Sequence, residues 1–334
     1  PPFGARWRAA LNRRALLPLV RRAARNLRMR DPVLLTFLPT DTAVDMIRLL
    51  RTPHSVVVYY RIADFAHLTT NPERLGESER ELLEMCDLVF AQCPELVPPI
   101  PRLATRTHIF PFGVNLDAFP QEDGGGASDV ATGAPGDDHG GAGASRGAEV
   151  SALPRPLIGY VGGLHRHVDL RLLGAMARSR PDWSWVCVGP LQNGAGYLSC
   201  LPNVHLLGPR PHRALASYIR HFDVGIVPYV RSLYTETVVP TKINEYLAMG
   251  KPVVSTALPA VVDFGRTHGD VITADPRPES FLGAIERALQ LAPDAGAASR
   301  RREVAARSDW ATRLQKMSDL IEGAARANGS ADEF

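Results

Sequence analysis

Apolar positions along the chain fall into two alternating patterns, short β-branched runs and longer stretches at helical spacing. The strongest run, Ser55 to Tyr60, reads SVVVYY, as expected of a strand buried on both faces. Around it, Val33 to Phe37, Leu88 to Ala91 and Thr107 to Phe110 read as strands, with helices over Thr42 to Leu50 and Ser78 to Met85. The alternation restarts after Pro156. Strands are expected at Leu157 to Val161, Trp185 to Val188, Val204 to Leu207, Val224 to Val227, Val253 to Thr256 and Asp270 to Thr273. Helices are expected at Leu170 to Arg178, His212 to Arg220, Glu279 to Gln290 and across 298–325. Strands alternating with helices predict parallel sheets covered on both faces.

The fold class is therefore α/β, with two Rossmann-like doubly wound domains facing a cleft lined by strand C-termini. The first domain shows fewer strands than such a sheet usually has. It reads as incomplete, with its opening βαβ portion upstream of residue 1. Residues 121–150 break the pattern, with nine glycines and no aromatic residue, and read as a flexible linker or surface insertion. The expected division is an N-terminal domain over 1–120, that linker, a C-terminal domain over 151–295, and a helical segment over 296–334 packing back on the domains.

Composition adds three points. At 45% hydrophobic and 22% charged residues, the chain is an ordinary globular one. The four cysteines, Cys86, Cys93, Cys187 and Cys200, have no metal-binding spacing and suit a reduced, cytoplasmic setting. The net charge of +3 conceals nine arginines and no acid within residues 1–30. Residues 6–29 form a basic amphipathic helix. It suits peripheral attachment to an anionic membrane, or equally a domain helix with a solvated basic face. No nucleic-acid-binding module accompanies it, and nucleic acid is not expected as a partner.

Candidate chemistry concentrates in Glu236 to Thr256, ETVVPTKINEYLAMGKPVVST. Pro240 suits the first position of a helix, and Val239 before it has no side-chain acceptor to cap one. A helix start left open in this way is an anion site. Glu245 lies one turn in, on the face of Thr241, where a carboxylate can accept from two ribose hydroxyls. The same spacing also fits a plain Lys242–Glu245 surface ion pair. Gly162 and Gly163 end the first strand of the second domain and let a diphosphate approach the backbone, or simply make a turn. His165, Arg166 and His167 next to them suit a dianion, or a solvated loop. Pro209 and Arg210 end another strand, where backbone groups can read a nucleobase edge. Asp64, after SVVVYY, can orient an acceptor or a sugar.

These residues resemble those of glycosyltransferase family 4 and related GT-B sugar transferases. The resemblance is carried by IGYVGGLH at 158–165, NVHLLGPRPH at 203–212, FDVGIVPY at 222–229 and PTKINEYLAMGKPVVST at 240–256. YYRIADF, CDLVF at 86–90 and IFPFGVNLDAF at 109–119 support it. It implies metal-independent sugar transfer, with retention, from a nucleotide diphosphate donor (a UDP- or GDP-sugar) bound in the second domain. The acceptor implied is a glycan or lipid-linked saccharide in cell-surface polysaccharide assembly, at the cytoplasmic face of a membrane. No cofactor is expected. Glu245 matches the family's ribose-binding glutamate. Thr237, beside Glu236, stands where the family has a second glutamate near the donor sugar. His165, Arg166 and Lys242 take the place of the family's Arg and Lys after the glycine turn. Asp64 and Lys242 are the expected catalytic groups. Gly162, Gly163, His165, Arg166, Pro209, Arg210, Thr237, Pro240, Thr241, Lys242 and Glu245 are the expected donor contacts. A UDP-sugar 2-epimerase and a non-catalytic nucleotide-sugar-binding protein of the same architecture are the alternatives.

Overall fold

The computed structural model describes residues 6–120, 147–192 and 194–330. The chain divides into two compact units, Pro1–Phe112 with Ser232–Val239 and Trp310–Phe334, and Gly113–Arg231 with Pro240–Asp309.

The first unit opens with α1 (Arg6–Asn26), followed by β1 (Val33–Thr36), α2 (Asp41–Leu50), β2 (Val56–Arg61), α3 (Pro72–Met85), β3 (Leu88–Ala91) and β4 (Thr107–Ile109). Its sheet has the order β1-β2-β3-β4, with every pair parallel. β2 is buried on both faces, as SVVVYY predicts. Val57 and Tyr59 pack with Val44, Ile47 and Leu82 on one side. Val56, Val58 and Tyr60 pack with Phe90, Phe110 and Met317 on the other. α3 begins six residues before the expected Ser78, because Asn71 caps the Arg74 N–H and Pro72 takes the first helical position.

The second unit runs α4 (Ala148–Ser151), β5 (Leu157–Val161), α5 (Leu170–Ser179), β6 (Ser184–Val188), β7 (Val204–Gly208), α6 (Leu215–Ile219), β8 (Val224–Val227), α7 (Lys242–Ala248), β9 (Val253–Thr256), α8 (Pro259–His268), β10 (Val271–Ala274), α9 (Pro278–Leu291) and α10 (Ala295–Ala306). The chain then forms α11 (Trp310–Ser330), which belongs to the first unit. The sheet of the second unit has the order β10-β9-β8-β5-β6-β7 and is parallel throughout. This is the doubly wound Rossmann order, reversing direction between β5 and β8. Two glycines let helix meet sheet: a Cβ on Gly225 would stand 2.5 Å from the Tyr246 ring, and one on Gly159 would stand 2.0 Å from Phe222.

Several expectations need correction. The region 212–220 is a 3-10 turn leading into the short α6, and α8 has no counterpart in the sequence reading. The helical span expected over 298–325 is two helices serving different units. α10 packs in the second, with Val304 and Ala305 in its core, whereas Met317 of α11 joins the first. Most of the expected linker, 121–146, lies outside the described residues. Its end does not behave as a linker: Val150 is fully buried in the core of the second unit. Among the described residues, no helix is long and apolar enough to cross a membrane.

Candidate functional site

The reversal of strand order in the second unit creates a crevice at the C-terminal ends of β5 and β8, because connections leave those strands toward opposite faces. Gly162 follows β5 and Tyr229 follows β8. Lys242, the first residue of α7, reaches the same point. Its Nζ donates to Tyr229 Oη at 2.6 Å and lies 4.9 Å and 5.4 Å from the ring centroids of Tyr229 and Tyr160. A Cβ on Gly162 would stand 3.3 Å from Lys242 Cε, and Gly162 has φ +120°. Glycine is thus required twice here, for its backbone conformation and for room beside the lysine.

Lys242 is only 8% exposed and has no carboxylate partner among the described residues. A buried ammonium without a counter-charge is costly unless an anion joins it. The alternative of a Lys242–Glu245 surface pair is excluded by the same geometry, since Lys242 turns to Tyr229 and Glu245 to His212.

The loop after Gly162 is held from both sides. Leu164 N–H donates to Pro190 C=O and Gln192 N–H to Leu164 C=O. Asp169 N–H donates to Pro228 C=O, and Val230 N–H to His167 C=O. The loop is thereby tied to the ends of β6 and β8. It presents His165, half-buried, with its ring 5.4 Å from His167 and 6.3 Å from Tyr229. Burial, then His167, Lys242 and Arg166, lower the His165 pKa from its usual value near 6.5. Arg166 is exposed, with Nε 3.3 Å from His167 Nε2. Gly163 C=O accepts from Tyr160 Oη at 3.1 Å.

Glu245, largely buried, faces His212, with Oε1 3.3 Å from Nε2. The His212 ring stands edge-on to Phe119 at 5.5 Å. A carboxylate beside an imidazole and an aromatic ring can hold vicinal hydroxyls and flank a flat ring.

The start of α7 differs from the sequence reading. The helix begins at Lys242 rather than at Pro240, and Thr241, not Val239, is the N-cap; it is exposed, and its side chain does not cap the helix. Ile243 N–H donates to Pro240 C=O at 3.2 Å, and Asn244 N–H to Thr241 C=O at 3.1 Å. Two of the four end N–H groups are therefore closed by 3-10 bonds. The charge of Lys242, rather than an open row of amides, is the main attraction for an anion. Arg210 is also engaged elsewhere: Nε donates to Tyr218 Oη at 2.8 Å and Nη2 to Glu149 Oε1 at 3.2 Å, while Pro209 is exposed.

Asp64 and Thr237 meet in the first unit. Asp64 N–H lies 3.5 Å from Thr237 Oγ1, and Thr237 Oγ1 donates to Tyr234 C=O. The Asp64 carboxylate accepts from Ala66 N–H at 3.0 Å and lies 3.4 Å from His67 Nε2. It thus caps a 3-10 turn, a structural role the sequence reading did not give it.

Sequence reasoning did not single out Tyr160, Tyr229, His212 or Phe119. Each lies in or beside a quoted motif, and Tyr229 closes FDVGIVPY. The missing signal was strand order, which identifies β8 as the neighbour of β5.

Residues 155–291 match the family model described as Glycosyl transferases group 1. A Bacillus subtilis protein named as a teichuronic acid biosynthesis glycosyltransferase, TuaH, is 32% identical over 158 residues, covering 46% of this chain and 40% of that protein. A D-inositol 3-phosphate glycosyltransferase of Corynebacterium kroppenstedtii is 28% identical over 199 residues, covering 52% of this chain and 42% of its own length. These matches span less than half of either relative. Among solved structures, sucrose-phosphate synthase from Thermosynechococcus elongatus superposes with TM-score 0.70 at 17% identity, over 93% of this chain and 78% of that one. HepE from Anabaena, in complex with UDP, superposes with TM-score 0.68 at 14% identity, over 92% and 82%. The fold is that of GT-B glycosyltransferases.

Proposed function

We propose that this chain, whose residues 155–291 match the group 1 glycosyl transferases, moves a sugar from a UDP- or GDP-sugar to a glycan or lipid-linked acceptor in cell-surface polysaccharide assembly. The observation that carries the reading is the buried Lys242 ammonium, which has no carboxylate partner among the described residues and stands against Gly162 at the reversal of strand order.

In this reading the donor diphosphate lies on Gly162 and Gly163, with Lys242 Nζ and the His165–Arg166 edge as its cations. As the bond from sugar to diphosphate breaks, negative charge accumulates on the leaving oxygen. A lysine already fixed by Tyr229 stabilises that charge without reorganising, the condition under which electrostatic stabilisation is largest. The leaving group then needs no resident metal. Glu245 accepts the ribose hydroxyls, and the exposed His212 ring, backed by buried Phe119, faces the base. Transfer proceeds with retention, as in the family the sequence resembles. Relatives solved with UDP share the fold and support a nucleotide donor.

Calorimetry with two ligands tests the assignment. Lys242→Ala should weaken UDP about 10- to 100-fold, the range for losing one charge-assisted contact, and leave uridine nearly unchanged. Glu245→Ala should weaken both. An equal loss of UDP and uridine in Lys242→Ala would make Lys242 structural. Nucleoside diphosphate release should depend on an acceptor; an isomerised sugar would support the epimerase alternative, and binding without turnover the non-catalytic one.

The place of action in this reading is the cytoplasmic face of a membrane, with α1 as the attachment. Its exposed residues include Arg14, Arg21, Arg22 and Arg25 beside Leu19, with Leu27 just beyond its end. Basic and apolar side chains presented together bind anionic interfaces. The chain should sediment with vesicles containing phosphatidylglycerol and not with neutral ones, and Arg21→Glu/Arg22→Glu should abolish this. Undiminished sedimentation of that variant would remove α1 from the interface.

A further inference from the structure

The second unit has a cavity at the other edge of its sheet, where β8 and β9 begin. It measures about 330 Å³ and is walled by Met249, Pro252 and Pro293, with Asp223, Lys251 and Arg302 supplying the polar surface. Asp223 immediately precedes β8 and Pro252 precedes β9, whereas the donor residues Gly162 and Tyr229 follow their strands.

The three charged groups are not balanced. Both Asp223 carboxylate oxygens are engaged, one by Leu157 N–H at 2.7 Å and the other by Arg155 Nη1 at 2.5 Å. Lys251 donates from Nζ to Arg220 C=O at 2.6 Å, a neutral acceptor. Arg302 has no hydrogen bond or ion pair among the described residues, and its Nε is buried without an acceptor. The guanidinium is pressed against the backbone: a Cβ on Gly250 would stand 3.2 Å from Nε. At the helix end nearby, Glu245, Tyr246 and Leu247 C=O accept from the N–H groups of residues 249–251, and Gly250 C=O accepts from Arg301 Nη1. Two cations without an ion-paired carboxylate among the described residues thus face one partly open pocket that also has apolar walls.

We propose that this cavity is a second anion site, distinct from the donor site, that takes a phosphate monoester with a small organic body. Lys251 and Arg302 hold the phosphoryl oxygens, a point charge beside a planar donor. The apolar wall accommodates the carbon skeleton, and the volume exceeds what a bare phosphate fills. Burial, with Arg155, Arg302 and Arg220 nearby, outweighs the attraction of Asp223 and pushes the Lys251 pKa down to about 8, a cost that an arriving dianion relieves. The site also lies at the C-terminal end of α7, whose first residue is Lys242, so occupancy bears on the helix that carries the donor contacts.

The test uses the full chain carrying Lys242→Ala, which weakens phosphate binding at the donor site. Inorganic phosphate and glycerol 3-phosphate are titrated at constant ionic strength, with melting temperature as the readout. Both should stabilise the chain, glycerol 3-phosphate at lower concentration. Adding Arg302→Gln or Lys251→Gln should raise the half-saturating concentration at least about tenfold, the factor expected when one charge-assisted hydrogen bond is lost. Uridine binding, which does not use this cavity, should survive in each variant and shows that it is folded. Chloride giving the same stabilisation, or an unaltered response in Arg302→Gln, would overturn the proposal. Stabilisation by inorganic phosphate with no gain from the glycerol ester would overturn its organic part. As an independent reading, the side-chain resonances of isotopically labelled Lys251 should titrate at higher pH once glycerol 3-phosphate is bound; an unmoved titration counts against the site.

Discussion

Lys242 and His165 converge on Tyr229, the one by hydrogen bond and the other by ring contact. Lys242 donates to the Tyr229 phenol, whereas burial holds the His165 imidazole neutral more readily than a free one. A lowered histidine pKa means that the native state binds its proton more weakly than the unfolded chain. That group therefore opposes folding as pH falls below about 6.5, and its cost disappears above it. A donor diphosphate reverses the balance, because it favours the imidazolium. Affinity for a UDP-sugar, which has no titrating phosphate in this range, should rise as pH falls from 7.5 to 5.5, by about tenfold for each unit that the donor raises this pKa. His165→Gln should flatten most of that dependence in calorimetry. A slope that persists in this variant would assign the proton to His167, whose pKa is lowered chiefly by burial and also by Arg166.

At the scale of elements, α7 is a short helix fixed by what it packs on rather than by its own hydrogen bonds. Seven residues are marginal alone. Tyr246 anchors it: the ring covers Gly225 of β8, and its Oη accepts from Val161 N–H at 2.9 Å, one residue before Gly162. The α7 helix that carries Lys242 and the glycine turn are thus joined through one buried phenol. Tyr246→Phe should cost about 1–3 kcal/mol, the penalty for leaving a buried N–H unpaired, and should weaken UDP as well. Gly225→Ala should destabilise by a similar amount through overpacking. Denaturant unfolding checks both, and UDP affinity unchanged in Tyr246→Phe would uncouple the anchor from the site.

At the scale of the molecule, the order of elements along the chain does not follow the two units. Residues 232–239 and 310–330 return to the first, and 113–119 and 147–151 are already part of the second. Replacing 122–146 by a short Gly-Ser linker should leave the melting temperature and UDP binding unchanged. Val150→Asp should lower the melting temperature sharply, because it buries a charge in the core of the second unit. Ending the chain at Asp309 should expose the face of β2 formed by Val56, Val58 and Tyr60 and yield aggregation-prone protein. A soluble truncation with an unchanged melting temperature would show that α11 does not hold that face.

The sequence by itself determined the strands and located the candidate donor residues, because both are written locally. β-branched runs such as Val224 to Val227 can only be buried strands, and Gly162, Lys242 and Glu245 sit in motifs set by short spacing. Gly250, which follows α7 with a φ of +68°, is a local feature of the same kind, since glycine adopts this helix-ending conformation most readily. Tertiary structure decided the rest. Which strand lies beside β5 depends on long-range pairing, and only that order brings Tyr229 to Lys242. Whether Arg210 faces a ligand or Glu149, and whether Asp64 is free or a cap, depends on partners distant in sequence. The partnerless Arg302 became visible only once α10 had been folded against Gly250, since the absence of an acceptor is a property of the surroundings and not of the residue.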